Sequence, residues 1–176
     1  MRVIARKRPP FMTLHRWIFL IVACLLLLIT FFFIYFRDIQ GPQWSAIKDA
    51  KEQATKAADL NSINDVHHHI WSKESWVVEG VNQAEEKVFV WLTEDNLPNI
   101  IKAEDAISEQ EMKNSFKNEK PDANIKRIQP GLLGGKPVWE VYYDDGQKPL
   151  HSWYNFYSFD NGSFIDSYKL PAKTEP

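Results

Sequence analysis

Twenty consecutive residues, Trp17 to Phe36, carry no charge, no Gly and no Pro. Only Cys24 and Thr30 interrupt the aliphatic and aromatic run. At helical rise such a segment is about 30 Å long, the thickness of the hydrocarbon core of a bilayer. Trp17 and Tyr35 lie at its two ends, where amphipathic rings favour the interface. The run therefore predicts a single transmembrane helix. A cleavable signal peptide has a shorter apolar stretch followed by small residues, whereas Tyr35-Phe36-Arg37-Asp38 offers no such site. Ile21-Val22-Ala23-Cys24 has the look of a lipobox, but the run continues to Phe36, which puts Cys24 inside the bilayer.

Charge sets the expected orientation. Arg2, Arg6, Lys7, Arg8 and Arg16 precede the run without a single acid among them. Excess Lys and Arg stay on the cytoplasmic side, so the N-terminus is expected inside the cell membrane and the rest outside. Five of the 21 basic residues lie before the run, while all 23 acidic residues follow it, leaving about seven net negative charges outside. That balance disfavours nucleic acid and other phosphate-rich partners. Cys24 is the one cysteine, so the outer portion must hold itself together by packing without a disulfide.

Beyond Phe36 the pattern divides into two similar halves. Residues 37–44 contain Gly41-Pro42 and read as a linker. A helix is predicted from Ser45 to Asp59, with Ile47, Ala50, Ala54, Ala57 and Ala58 on one face. Its small alanines suggest close approach to a sheet. Strands follow at Ile63–Trp71, Trp76–Val81, Lys87–Thr93 and Asn99–Lys102. Ser108-Glu109-Gln110-Glu111 is a capping box that opens a second helix, which Pro121 closes. Further strands are predicted at Ala123–Leu133, with a break or bulge at Pro130-Gly131, then Val138–Tyr143, Trp153–Phe159 and Ser163–Leu170. Helix then strands, twice, makes an α+β chain. The expected order is a basic cytoplasmic head (1–16), an anchor (17–36), the linker (37–44), a first unit (45–105), a second unit (106–171) and a loose tail (172–176).

No catalytic signature stands out. Gly-x-Ser-x-Gly, His-Glu-x-x-His and P-loop spacings are all missing from the sequence. His67-His68-His69 draws attention, because His67 and His69 share one face of a strand and two such histidines can begin a zinc site. Only folding could bring up His151 or Glu79 as further ligands, so no metal or cofactor is assigned. Asp144-Asp145-Gly146 lacks the twelve-residue calcium pattern and reads as a turn. Aromatics crowd the second half. Trp139, Val141 and Tyr143 form the expected core set. Both parities of the Trp153–Phe159 strand are aromatic, and Trp153, Tyr157 and Phe159 are the candidate partner-binding residues, with packing between the units as the other reading.

The order of these features resembles the TseB-like (YpmB-like) cell-wall elongation regulators of Gram-positive bacteria. The residues that carry the resemblance are the basic head and anchor, the alanine-rich helix, Lys87-Val88-Phe89-Val90-Trp91, the helix capped at Ser108, Pro137 to Tyr143, and Tyr157-Ser158-Phe159-Asp160-Asn161-Gly162. The resemblance implies two tandem cystatin-like (PepSY-like) units, each a helix packed on an antiparallel sheet. It implies a non-enzymatic, single-pass membrane protein that binds a class B penicillin-binding protein and regulates wall elongation. The related fold also suggests an alternative, a PepSY-type inhibitor or regulator of an extracytoplasmic peptidase.

The orientation has a direct test. Protease added to intact protoplasts is expected to remove the chain beyond about Arg37, and a protected C-terminal portion would refute the assigned topology.

Overall fold

The computed structural model describes residues 14–148 and 151–171. The basic residues before position 14 and the tail at 172–176 lie outside the described residues. The chain divides into two compact units between Ala46 and Ile47.

The first unit is helical. Helix α1 runs from Leu14 to Ala58 and continues past the division into the second unit. Its segment His15–Arg37 is long and apolar enough to cross a bilayer, and its side chains are not buried against protein. Thr30, the polar interruption near the middle, donates its hydroxyl to the Leu26 carbonyl at 2.8 Å, which satisfies that donor within the helix itself.

Residues 37–44, expected as a linker, are helical instead, and the predicted start at Ser45 is not a helix start. Starting a helix is costly and extending one is cheap, so a single Gly-Pro turn between two strong helical segments is absorbed. Pro42 removes one amide from the ladder. Ser45 donates its hydroxyl to the Pro42 carbonyl at 2.8 Å rather than capping an amide.

The second unit contains two four-stranded antiparallel sheets, each a simple meander. The first holds β1 (Leu60–Ile70), β2 (Glu74–Asn82), β3 (Lys87–Thr93) and β4 (Asn96–Lys102). A short 3-10 turn, Ala103–Asp105, leads to helix α2 (Glu109–Glu119). The second sheet holds β5 (Asn124–Leu133), β6 (Lys136–Asp144), β7 (Ser152–Ser158) and β8 (Phe164–Lys169). The α+β architecture read from the sequence is the one observed.

Strand parity sorts the side chains into two cores. Val78, Val88, Val90 and Leu92 share a face and pack with Ala50 and Ala54 of α1. Both alanines are buried, so the small residues bring helix and sheet into close contact, as their spacing suggested. Val77, Phe89 and Trp91 point the other way, into a second core with Met112 and Phe116 of α2 and with Trp139, Val141, Tyr143, Tyr157 and Phe159 of the second sheet. Being covered on both faces explains why β3 reads as a continuous apolar run rather than an alternating one.

Helix α2 begins as the capping box requires. Ser108 Oγ accepts from the Glu111 amide at 3.2 Å, and the Ser108 amide donates to Glu111 Oε2 at 2.8 Å. Strand β5 passes through Pro130-Gly131 without a break, and its irregularity lies between Ile125 and Arg127. It is an edge strand, so the amide that Pro130 lacks is not needed by a neighbour in the same sheet.

Two substitutions test the two cores. Phe116→Ala is expected to cost about 3–5 kcal/mol by opening a cavity in the second core. Ala54→Leu is expected to cost about 1–3 kcal/mol by forcing α1 off the first sheet. Denaturant titration of the detergent-solubilised chain measures both, and an unchanged midpoint for either would contradict the assigned packing.

Candidate functional site

The three consecutive histidines of β1 do not converge. His67 Nε2 lies 3.7 Å from Asp65 Oδ2 on its own strand. His68 stacks on Trp76 with ring centres 4.2 Å apart and bonds Glu74 Oε1 at 2.7 Å. His69 is 1% exposed and meets Glu140 Oε2 at 3.0 Å, across from the second sheet. The other candidate ligands are engaged elsewhere: Glu79 with Lys87 at 2.8 Å and His151 with Asp145 at 3.2 Å. Among the described residues no three His, Cys, Asp or Glu side chains are grouped to hold a metal.

The Asp144-Asp145-Gly146 segment serves as local structure. Asp144 accepts from Ser152 Oγ at 2.6 Å and pairs with Lys126 at 3.0 Å. Asp145 Oδ1 accepts the amides of Gln147 and His151 at 3.1 and 3.2 Å, which pins the connection between β6 and β7.

Of the candidate partner-binding residues Trp153, Tyr157 and Phe159, two are buried. Tyr157 and Phe159 are 2% and 1% exposed. Phe159 packs on Trp91, Trp139 and Phe89 with ring centres 4.6, 5.0 and 5.1 Å away. Tyr157 donates its hydroxyl to Glu119 Oε2 at 3.2 Å, and burial together with that carboxylate holds the phenol above its ordinary range. Of the three, Trp153 alone is half-buried, on the wall of a cleft of about 440 Å³ shared with Glu119, Lys120, Tyr143, Asp145 and Ser167. This parity packs the two sheets together, the other reading open to the sequence.

The constellation that the sequence did not single out is the seam between the sheets. Glu140 is 3% exposed, yet three donors satisfy it. Oε2 faces His69 Nε2, and Oε1 accepts from Arg127 Nη2 at 2.9 Å and Gln129 Nε2 at 3.1 Å. The Leu132 amide donates to His69 Nδ1 at 3.3 Å, and Trp91 Nε1 donates to the Gly131 carbonyl at 2.9 Å. Gly131 is required here: a Cβ at that position would lie 2.4 Å from His69 Cδ2. A glycine inside a strand marks close approach of another chain segment, and Gly131 was the available signal.

The surface offers a different apolar feature. Leu97 and Ile100 on β4, and Phe164, Ile165 and Tyr168 on β8, are exposed. Both are outer strands of their sheets.

Comparison with known proteins agrees with this architecture. Residues 49–93 match the family described as "Cell wall elongation regulator TseB-like domain". That span covers the end of α1 and β1 to β3, the elements of the first core. The chain is 26% identical over 120 residues to the "Probable cell wall elongation regulator TseB" of Bacillus subtilis (strain 168), covering 66% of this chain and 72% of that protein. The solved structure of the YpmB protein from Bacillus subtilis has the same fold, with a TM-score of 0.62 at 22% identity over 70% of this chain and 96% of that one.

Glu140 gives the seam a pH signature. Burial pushes its carboxyl upward, but hydrogen bonds from His69 and Arg127 outweigh burial and leave it below the ordinary glutamate value. A carboxyl lowered in the folded state stabilises fully above the unfolded range of about 4.3, and that contribution is lost as pH falls through the folded value. Relative to Glu140→Gln, the unsubstituted chain is expected to lose stability as pH drops from about 6 to about 3. Parallel denaturant midpoints across that range would count against the assignment.

Proposed function

Because this chain is related to the TseB-like cell wall elongation regulators, we propose that it is a non-enzymatic, membrane-anchored regulator of wall elongation that works by binding a class B penicillin-binding protein outside the cytoplasm. The observation that carries this reading is the match to a regulator family over the α1–β3 core, in a chain whose first helix can cross a bilayer. A transmembrane helix confines the protein to the plane in which an anchored synthase also moves. Two confined proteins meet at high effective concentration, so a modest interface suffices.

The contact surface is assigned to the second sheet's outer strand. Among the described residues strand β8 has no neighbour on its far side, and it exposes Phe164, Ile165 and Tyr168. An open strand edge offers unpaired backbone groups to an extended segment, and alternate side chains supply selectivity. On this reading the contact lies one strand beyond the half-buried Trp153 and the buried Tyr157.

Site-specific photocrosslinking in intact cells tests the proposal. A photoreactive residue at Phe164 or Tyr168 is expected to capture a class B penicillin-binding protein, whereas one at Lys113 on α2 is not. Capture of a peptidase at those positions would favour the inhibitor reading, and absence of any β8 adduct beside adducts elsewhere would move the interface.

A further inference from the structure

The seam between the sheets is organised by one imidazole whose two nitrogens have different partners. Nδ1 of His69 receives the Leu132 amide at 3.3 Å, and Nε2 faces Glu140 Oε2 at 3.0 Å. A ring nitrogen can accept an N–H only when it carries no proton itself. The bonded ring is therefore the neutral form with its proton on Nε2, donated to the carboxylate. There is no slack around it. The backbone of β5 is so close at Gly131 that even a methyl group would overlap the ring.

The charged and titratable neighbours are few. Glu140 on β6 faces the ring directly, and Arg127 on β5 holds the other oxygen of that carboxylate at 2.9 Å. Tyr154 on β7 lies near both Glu140 and Arg127, and their charges act on its phenol. On the β2 side the contact is neutral, with Ser75 Oγ donating to the His69 carbonyl at 3.3 Å. His67 and His68 engage Asp65 and Glu74.

We propose that His69 is an acid-released latch between the two sheets: a proton taken up from solvent at Nδ1 ends the Leu132 bond, sets two N–H groups against each other and loosens β5 from β1. The attraction of the new imidazolium for Glu140 is blunted, because Arg127 already balances that carboxylate. Release is local. Phe89, Trp91, Trp139 and Phe159 hold the apolar part of the joint core and contain no titrating group.

Nuclear magnetic resonance of the full chain in lipid nanodiscs, with nitrogen-labelled histidine, reads both ends of this contact. The pH is lowered from about 7.5 to about 5, the interval in which an imidazole can serve as a switch. Hydrogen-exchange protection of the Leu132 amide, corrected for its intrinsic rate, is expected to fall at least about tenfold in step with proton uptake at Nδ1, while the Val78 and Val90 amides hold theirs. His69→Gln can donate to Glu140 and accept from Leu132 without titrating, and is expected to keep Leu132 protection flat over the same range. A protonated Nδ1 at neutral pH overturns the proposal. So does constant Leu132 protection while Nδ1 takes up its proton, or pH-dependent loosening that persists in the glutamine variant. If that variant does not fold, the titration of the unsubstituted chain decides alone.

Discussion

Strands β2 and β3 carry large apolar side chains on both faces, and neither face can be left to water. Burying a Val, Leu or Phe side chain is worth about 1.5–3 kcal/mol, so each face requires a cover. One cover comes from α1, whose alanines Ala50 and Ala54 let the helix lie close over Val78 and Val90. The other comes from the second sheet and α2, which meet Phe89 and Trp91 through Phe159, Trp139 and Met112. A single helix-and-sheet unit of this size buries only a marginal core. Sharing one core between two sheets removes that limit without a disulfide, since no cysteine follows Cys24. The chain from Ile47 onward accordingly behaves as one compact unit.

Apolar contact alone does not fix how one sheet meets another, because it is nearly indifferent to small slides. The seam at His69 adds direction. Trp91 reaches the Gly131 carbonyl, Leu132 reaches the imidazole, and Glu140 collects three donors. Each of these bonds is satisfied in one arrangement only, and a buried donor left without its acceptor costs about 1–3 kcal/mol. A carboxylate is expensive to bury alone. Arg127 supplies the compensating charge from a half-exposed position, and the neutral imidazole adds a hydrogen bond without a second buried charge.

The parts legible in the sequence are those decided locally. The capping box at Ser108 needs only four residues, and the alternation of Trp139, Val141 and Tyr143 needs only one strand. The parts that escaped depend on what lies across space or along a longer helix. Gly41-Pro42 reads as a break, yet the helical segments on either side carry α1 through it. Both parities of β7 are aromatic, so nothing within the strand says which face a second sheet will cover. Glu140 is unremarked in sequence because its partner His69 lies 71 residues away. Gly131 gave a hint, since a glycine within a strand often marks a close neighbour, but not which neighbour.

What the folding uses up also limits what is left for binding. The aromatics of β6 and β7 are spent on the joint core or on one another, as in the stacked pair Tyr142 and Tyr154 at 4.8 Å. Trp71 is drawn over Tyr154, Phe156 and Tyr168 at 5.5, 4.8 and 5.0 Å. Among the described residues of the sheets, the exposed apolar groups are Leu97 and Ile100 on β4, Phe164, Ile165 and Tyr168 on β8, and Ile70 at the end of β1. The edges at β4 and β8 are not equivalent. Pro98 blunts β4, since proline offers no amide to an incoming strand, whereas β8 contains no proline. An open edge without proline keeps its backbone amides available for pairing, and that of β8 is the less blunted of the two.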